Sequence, residues 1–375
     1  RQQLAAGTVE GRCDPAFAPV ADEFIRNFTD RGEVGASLCL THEGRTVVDL
    51  WGGIAEEKSR RAWTEDTVSI VFSCTKGATA LCAHLLKARG KLDIEALVTR
   101  YWPEFGQHGK DAATVRMMLD HSVAVPVLRD KVTPEGIYDW DYMTGRLAAE
   151  VPFWQPGTRN GYHAMMFGYT VGEIVRRVAG QSLGSFFQNE IARPLGLDFW
   201  IGLPEEIEPR VAPIIYYRAP PAEQESPFLK AALHEPGSIP NLFLFNTGNW
   251  RLGGANTRAG HAAEIGAANG ITNGRGLAGM YAPLACGGSL NGVDLVDADT
   301  LAAMSEVSMA THIDATLMIP TRFALGFMKS MDNRRRAGAN QSAIFGARAF
   351  GHVGAGGSFG FADPDCGLSF GYTMN

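Results

Sequence analysis

The sequence lacks several patterns that assign a chain to a common class of protein. Its six cysteines form no C-x-x-C pair. A chain of 375 residues needs no disulfide framework, so we expect free thiols in a reducing compartment, the cytoplasm. No apolar run approaches the length of a membrane span, and no basic segment followed by an apolar core marks an export signal. Residue 1 is arginine rather than methionine, so the sequence leaves open whether a leader segment was removed before it.

Signals for nucleic-acid, cofactor and metal binding are also missing. The net charge of -6 offers no basic face for a nucleic acid. The strongest basic cluster, Arg334-Arg335-Arg336, is interpreted as a solvated turn. There is no dinucleotide or P-loop fingerprint, and the nine histidines include no H-E-x-x-H pair. We therefore predict no metal, no cofactor, no nucleic-acid partner and no membrane partner, while the oligomeric state stays open.

The pattern that is present is that of an ordinary globular protein with strands at both ends, since 45% of the residues are hydrophobic and 20% charged. Strand-like runs cover 35–41, 45–51, 323–328, 349–353 and 367–374. Helical periods cover 17–28, 74–89, 112–121, 140–149, 163–179, 183–193, 276–286 and 297–305. This order predicts an α+β fold, in which one antiparallel sheet is assembled from both ends of the chain around a helical insertion.

The predicted division of the chain follows from the same pattern. Residues 1–90 and 291–375 are expected to form the α/β part with the antiparallel sheet, and residues 91–290 a mostly helical part with long loops. Within the latter, residues 203–275 are rich in Pro, Gly and Asn and weakly periodic. They predict a long loop that either is functional or packs over the surface of the rest of the fold.

The segment Ser73-Cys74-Thr75-Lys76 places a hydroxyl and an amine three residues apart, where a helical pattern begins. Such positions share one helix face, so Lys76 can accept the Ser73 proton if burial lowers its pKa. The apolar run 69–72 comes just before, and a helix N-terminus supplies backbone N–H groups. The alternative is that Ser73 is the N-cap of a surface helix, and the four residues alone do not decide between these interpretations.

Two distant segments can complete a site. Tyr162 follows a Pro-Gly turn at the entry to a helix, where a phenol beside an ammonium group can act as general base. The alternative is a half-buried aromatic side chain with its hydroxyl on the backbone. Residues 351–358 are glycine-rich and follow a strand, so a substrate can approach their backbone closely. A backbone N–H there and that of Ser73 can form an oxyanion hole, unless the segment is a plain turn.

These motifs, taken together, resemble the serine β-lactamase and penicillin-binding-protein superfamily. More narrowly they resemble the β-lactamase-like esterases called family VIII carboxylesterases, from about residue 15 to the end. The resemblance is carried by these three stretches: Ser73-Cys-Thr-Lys76, Trp154-x-Pro-Gly-Thr-x-x-x-Tyr162-His163 and Gly351-His-x-Gly-x-Gly-Gly-Ser-x-Gly-Phe-Ala-Asp-Pro. Met118-Leu-Asp-His121-Ser is similar to the family's helix-end motif without its usual Gly.

The resemblance implies a β-lactamase-like fold, in which an antiparallel sheet flanked by helices meets a mostly helical region and the active site lies between them. It implies Ser73 as nucleophile and Lys76 and Tyr162 as the proton-transfer pair. It also implies an oxyanion hole formed by the N–H groups of Ser73 and Ala355. Whether Lys76 or Tyr162 takes the first proton stays open.

The departures from the family pattern shift the expected substrate. Ala164 stands where β-lactamases usually have Asn, and His352 stands where they have the Lys that helps hold a β-lactam carboxylate. A histidine with an ordinary pKa is mostly neutral at pH 7, so a neutral ester is favoured. Family members generally continue beyond the position of Asn375 into a C-terminal helix, which we expect to lie outside this sequence or to be replaced.

We therefore predict a serine carboxylesterase that cleaves small, short-chain esters through an acyl-enzyme on Ser73. The alternatives are a β-lactamase, amidase or acyltransferase with the same Ser-Lys-Tyr site, or a catalytically silent binding protein. The predicted pocket residues are His352, Gly354, Gly356, His163 and Trp154. The segment 203–275 and the aromatic side chains Trp154, Tyr138, Trp250 and Phe245 are candidates for the pocket wall, with core packing as the equal alternative.

A second serine motif is not interpreted as catalytic. Gly356-Gly-Ser358-Phe-Gly360 matches the G-x-S-x-G elbow of α/β-hydrolases. That fold needs a histidine later in the chain, and none follows Ser358. It also needs a helix after the serine, whereas residues 361–364 predict a turn.

Overall fold

The computed structural model describes residues 2–4, 7–216, 226–336 and 342–375. The helices in these ranges are α1 (Ala18–Asp30), α2 (Thr75–Ala88), α3 (Val115–Leu119), α4 (Trp140–Ala149), α5 (Met166–Ala179), α6 (Leu183–Phe187), α7 (Pro227–His234), α8 (Ile239–Phe245), α9 (Arg258–Ala262), α10 (Gly274–Ala285) and α11 (Ala298–Ser305). The strands are β1 (Gln2–Leu4), β2 (Gly7–Cys13), β3 (Gly35–His42), β4 (Arg45–Glu56), β5 (Arg61–Ala62), β6 (Ser69–Ile70), β7 (Phe199–Trp200), β8 (Ile271–Thr272), β9 (Ser289–Leu290), β10 (Val293–Asp294), β11 (Met309–Thr311), β12 (Thr321–Phe323), β13 (Met328–Lys329), β14 (Phe350–Val353), β15 (Phe359–Asp363) and β16 (Leu368–Met374).

The main sheet has eleven antiparallel strands drawn from both ends of the chain. Its order is β1-β2-β4-β3-β16-β15-β14-β13-β12-β11, with β5 paired to β4. Strands β3 and β16 meet in the middle, where Ser37 lies opposite Thr373 and their hydroxyls are 2.7 Å apart. The predicted α+β fold with one sheet built from both ends is confirmed.

One helix packs on each face of this sheet. Helix α1 buries Phe24 and Phe28 against one face. Helix α10 lies so close to the other that a Cβ atom on Gly371 would be 2.4 Å from the Gly274 carbonyl oxygen. The sheet layer therefore includes α10, a helix that the sequence assigned to the helical part ending at residue 290.

The helical part surrounds α2. Twelve of the fourteen residues of this helix are buried, and α5 packs along it. Apolar side chains from α2, α5 and α10 share one large core. Within the described ranges, no helix has both the length and the apolar character that crossing a bilayer requires.

The predicted helices agree with the structure except over 112–121, at the start of 163–179 and within 183–193. Helix α4 has the predicted bounds, and α1, α2, α10 and α11 lie within two residues of theirs. Helix α5 begins at Met166 rather than at residue 163, and α3 covers only the middle of the predicted 112–121. The stretch predicted at 183–193 is α6 followed by one π-helical segment, Gln188–Ala192.

Three local predictions are wrong. The described residues of 203–275 contain α7, α8 and α9, each capped at its start by the side chain of Ser226, Ser238 or Thr257. The predicted strand 323–328 is a hairpin, because the chain turns at Gly326 with a φ of +88°. Residues 361–363, predicted as a turn, end strand β15.

Candidate active site

Ser73 lies in a 3-10 turn, Phe72–Cys74, that joins strand β6 to helix α2. Phe72 has a φ of +43°, a left-handed backbone conformation that side chains other than glycine rarely adopt. The Thr75 hydroxyl stabilises the turn, since it donates to the Phe72 carbonyl and accepts from the Gly270 N–H. The turn leaves Ser73 half-buried at the end of a buried helix, so the surface-helix interpretation of this motif is wrong.

Lys76 is fully buried, and its Nζ atom lies 3.0 Å from Ser73 Oγ. Its other partners are main-chain carbonyl oxygens, Ala164 O at 2.6 Å and Ala267 O at 3.0 Å. Burial holds the pKa of the Lys76 amine well below its ordinary value. A neutral amine has two N–H groups, which match the two carbonyls, and one lone pair, which is then left for the Ser73 hydroxyl.

Tyr162 lies on the other side of Ser73. Its hydroxyl lies beside the Ser73 side chain, and its ring centroid is 4.7 Å from Lys76 Nζ. Its hydroxyl therefore faces Ser73, and it makes no backbone hydrogen bond within the described residues. Burial raises the pKa of the Tyr162 phenol, and the nearby Cys74 and Asp314 raise it further. The phenol is therefore neutral at rest, so the predicted easier loss of its proton is not favoured.

The short segment before α5 is held by two histidines. His121 accepts the Gly161 N–H on its carbonyl and the His163 N–H on its Nδ1 atom. His163 donates from Nδ1 to the Gly161 carbonyl and accepts the Val125 N–H on Nε2. Burial lowers the pKa of His163 to about 3, so its ring is neutral. Both ring nitrogens of His163 are hydrogen-bonded to the backbone, and the side chain has no exposed surface. His163 therefore stabilises the segment that carries Tyr162.

The glycine-rich segment reaches the site through strand β14. Cys74 Sγ donates to the His352 carbonyl at 3.1 Å, which joins β14 to the serine turn. A Cβ atom on Gly354 would be 2.4 Å from the Val71 carbonyl oxygen, so a side chain there would push the two apart. Beyond it, Ala355 and Gly356 are exposed, and Gly356 has a φ of +92°. The segment therefore contacts the serine turn directly.

His352 is buried beside Tyr162, with ring centroids 6.0 Å apart. Its Nδ1–H donates to the Val353 carbonyl at 2.7 Å, which leaves a lone pair on Nε2. That Nε2 atom has no partner within the described part of the chain. Burial and the nearby Lys76 lower the pKa of His352 to about 3, so this position is uncharged at pH 7.

Apolar side chains that the sequence did not single out surround Tyr162. Phe323 stacks on its ring at 5.8 Å, and the same cluster includes Phe243, Leu317 and Met328. The segment 203–275 thus contributes to the site through Phe243 of α8. The apolar composition of α8 signals burial of one face but not which aromatic side chain is buried.

The other predicted wall residues lie in different surroundings. Trp154 is half-buried, with its indole N–H donating to the Ser122 carbonyl and its ring 6.4 Å from that of His163. Trp250 is buried in the main core, and Tyr138 bonds to Asn249 at the edge of that core. Phe245 is 61% exposed.

Asp314 is a buried residue beside Tyr162 that no sequence pattern indicated. Both of its carboxylate oxygens accept the backbone N–H of Tyr162, each at 3.0 Å. Its surroundings in the sequence form no motif, because its partner lies 152 residues earlier in the chain.

Known proteins resemble this chain in both sequence and structure. Residues 21–375 match the protein family described as Beta-lactamase. The chain is 34% identical to the Esterase/beta-lactamase LipL of Mycobacterium tuberculosis, over 99% of this chain and 84% of that protein. A solved family VIII carboxylesterase is 38% identical with a TM-score of 0.84, and a penicillin-binding protein homologue from Caulobacter crescentus is 35% identical with a TM-score of 0.85. Each of these structures matches 98% of this chain and 94% of its own.

Proposed function

The chain belongs to the beta-lactamase family, and we propose that it works as a carboxylesterase that cleaves short-chain esters through an acyl-enzyme on Ser73. The observation that carries the proposal is that the Ser73 hydroxyl lies 3.0 Å from a buried amine and beside a buried phenol. The names of the relatives, an esterase/beta-lactamase and a family VIII carboxylesterase, support the same chemistry.

In the proposed reaction, the neutral Lys76 amine accepts the Ser73 proton as Ser73 Oγ attacks the ester carbonyl. The N–H groups of Ser73 and Ala355 hold the oxyanion. The N–H of Ala355 makes no hydrogen bond among the described residues, which supports this role. Tyr162 gives its proton to the leaving alkoxide and recovers one from the Lys76 ammonium. The same pair then deprotonates a water molecule, which attacks the carbonyl of the acyl-enzyme, releases the acid and restores the Ser73 hydroxyl.

The neutral state of His352 supports an ester preference over β-lactams. A β-lactam carries a carboxylate that needs a cationic partner, and a buried imidazole with a pKa of about 3 is not one at pH 7. The second candidate function is β-lactam hydrolysis at the same site, favoured by the name of the relative from Mycobacterium tuberculosis. Amidase and acyltransferase activities would use the same residues.

Turnover of p-nitrophenyl butyrate compared with that of a chromogenic cephalosporin tests the proposal. We expect faster ester turnover, a burst of p-nitrophenol and a butyryl mass increase on Ser73 that Ser73→Ala lacks. Faster cephalosporin turnover would overturn the ester preference. Parental ester turnover by Ser73→Ala would overturn the role of Ser73, and no turnover or adduct with either substrate would point to a silent binding protein.

A cytoplasmic location is part of the same proposal. All six cysteines are free, including the exposed Cys366, as suits a reducing compartment. Fractionation of the native host tests it, and recovery of the protein outside the cytoplasm would contradict it.

A further inference from the structure

Asp314 is a buried carboxylate with an unusual set of partners. It lies in the loop between β11 and β12 and has no exposed surface. Besides the Tyr162 N–H, Oδ1 accepts the N–H groups of Thr316 at 2.8 Å and Leu317 at 2.9 Å. Oδ2 accepts the Thr321 hydroxyl at 3.3 Å. No cationic side chain in the described ranges forms an ion pair with it, so main-chain N–H groups are its principal partners.

We propose that Asp314 is a positioning residue that fixes the Tyr162 hydroxyl against Ser73 for proton transfer to the leaving alcohol. This inference rests on the proposed ester hydrolysis. It assigns to Asp314 no contact with the substrate, because the carboxylate acts through the backbone of Tyr162.

The local turn alone does not account for these contacts. An aspartate that accepts the N–H groups two and three residues later forms a common local turn. In Asp314 the N–H groups of Thr316 and Leu317 already make these two hydrogen bonds. The two contacts to the Tyr162 N–H reach a separate loop. Burial of a carboxylate is unfavourable unless hydrogen bonds offset its lost hydration. The contacts to Tyr162 therefore both stabilise the buried carboxylate and join the two loops.

Further bonds join the same two loops next to Tyr162. The Ala315 N–H donates to the Asn160 carbonyl at 3.1 Å. The Thr321 hydroxyl lies 3.3 Å from both Asn160 Oδ1 and Asp314 Oδ2. The segment from residue 160 to residue 162 is thereby held along its length by the loop that carries Asp314.

Tyr162 needs such support because no regular element contains it. Helix α5 begins only at Met166, so no helical or sheet hydrogen bonds fix the backbone of Tyr162. An error of about 1 Å in the position of a catalytic group can lower a rate about 100-fold. The Asp314 charge also raises the pKa of the Tyr162 phenol, which keeps the proton that Tyr162 must donate.

The test compares two esters with the same acyl group and different leaving groups. p-Nitrophenolate leaves readily and needs little help from an acid, whereas the alkoxide of ethyl butyrate needs a proton. We expect Asp314→Asn to lower kcat for ethyl butyrate about 100-fold, and that for p-nitrophenyl butyrate about tenfold or less, with smaller changes in KM. Tyr162→Phe should show the same selective loss.

Asp297→Asn is the matched control. Asp297 also accepts a backbone N–H, that of Thr300 at the start of α11, but it lies on the surface. The Asp297→Asn substitution should leave kcat for both esters unchanged. Thr321→Val removes one bond to the Asp314 carboxylate, and it should give a smaller selective loss even if Asp314→Asn folds poorly.

An equal loss for the two esters in both Asp314→Asn and Thr321→Val would indicate a fall in folded enzyme alone and would overturn the proposal. Unchanged rates would overturn it too. Failure of the proposed function is a separate result, because the parental enzyme would then show no p-nitrophenol burst and no adduct on Ser73.

Discussion

The Nζ atom of Lys76 lies 4.7 Å from the centroid of the Tyr162 ring. Both groups are buried, and burial moves their pKa values in opposite directions, down for the amine and up for the phenol. At rest both are therefore neutral. The amine then has a lone pair to accept a proton, and the phenol has a proton to give, which supports the proposed roles of Lys76 as base and Tyr162 as acid.

The pH dependence of activity follows from the lowered pKa of Lys76. Below that pKa the amine is an ammonium ion without a lone pair, so kcat/KM should fall as the pH falls through it and level off above it. Lys76→Arg, which stays cationic at every accessible pH, should lose at least about 1000-fold in kcat/KM. Initial rates with p-nitrophenyl butyrate across pH, on enzyme shown to remain folded, provide the measurement. Activity of Lys76→Arg near the parental level would contradict a neutral Lys76 base.

The charge at position 352 should set the ratio of β-lactam to ester turnover. His352→Lys supplies an amine that a bound β-lactam carboxylate favours in its charged form, whereas the buried imidazole is neutral, and a charged hydrogen bond is worth about 1.5–3 kcal/mol. We expect the cephalosporin-to-ester ratio of kcat/KM to rise about tenfold or more, and His352→Gln, which adds no charge, to leave it unchanged. A ratio that responds equally to both substitutions would show that shape rather than charge matters.

The size of residue 243 should affect the preferred acyl length. Phe243 packs in the apolar cluster around Tyr162, so Phe243→Ala opens space beside the site. Since a methylene group in an apolar pocket is worth about 1–3 kcal/mol, the octanoate-to-acetate ratio of kcat/KM for p-nitrophenyl esters should rise about tenfold. Phe245→Ala is the control, because Phe245 lies on the same helix but is 61% exposed. Equal effects of the two substitutions would place the acyl group elsewhere.

The contact between α10 and the sheet should be sensitive to a single methyl group. A Cβ atom on Gly371 would lie 2.4 Å from Gly274 O and 2.5 Å from Ala278 N. Gly371→Ala should therefore lower the free energy of unfolding by about 1–3 kcal/mol. Gly145→Ala is the comparison, because that position in α4 has open space and should gain up to about 1 kcal/mol. Urea unfolding measures both, and an unchanged stability of Gly371→Ala would refute the tight contact.

The sequence predicts features that depend on neighbouring residues better than those that depend on distant ones. The bounds of α4 follow from helical periodicity, and one helical turn relates Ser73 to Lys76. The Pro-Gly turn before Tyr162 made it a candidate, but nothing local indicates which serine it meets, and that pairing came from the family resemblance. Asp314 could not be found this way, since its role comes from contact with a loop 152 residues away.

The wrong predictions have physical reasons of the same kind. The apolar run 323–328 resembles a strand, but Gly326 adopts a positive φ and turns the chain back on itself. Helix α8 carries two phenylalanines, and its composition does not tell which one faces the protein. Phe243 packs, partly buried, against the apolar cluster of Tyr162 because of where the loop before α8 places the helix, which is a tertiary effect.

The pairing of β3 with β16 has a consequence for biosynthesis. The partner of β3 on that side is made more than 300 residues after it, so a ribosome-bound chain exposes an unsatisfied strand edge throughout most of translation. Open edges of this kind recruit other chains. The yield of folded protein in a foreign host should therefore depend on slow synthesis or on holdase chaperones. These would shield the hairpin of β3 and β4 until strand β16 leaves the ribosome.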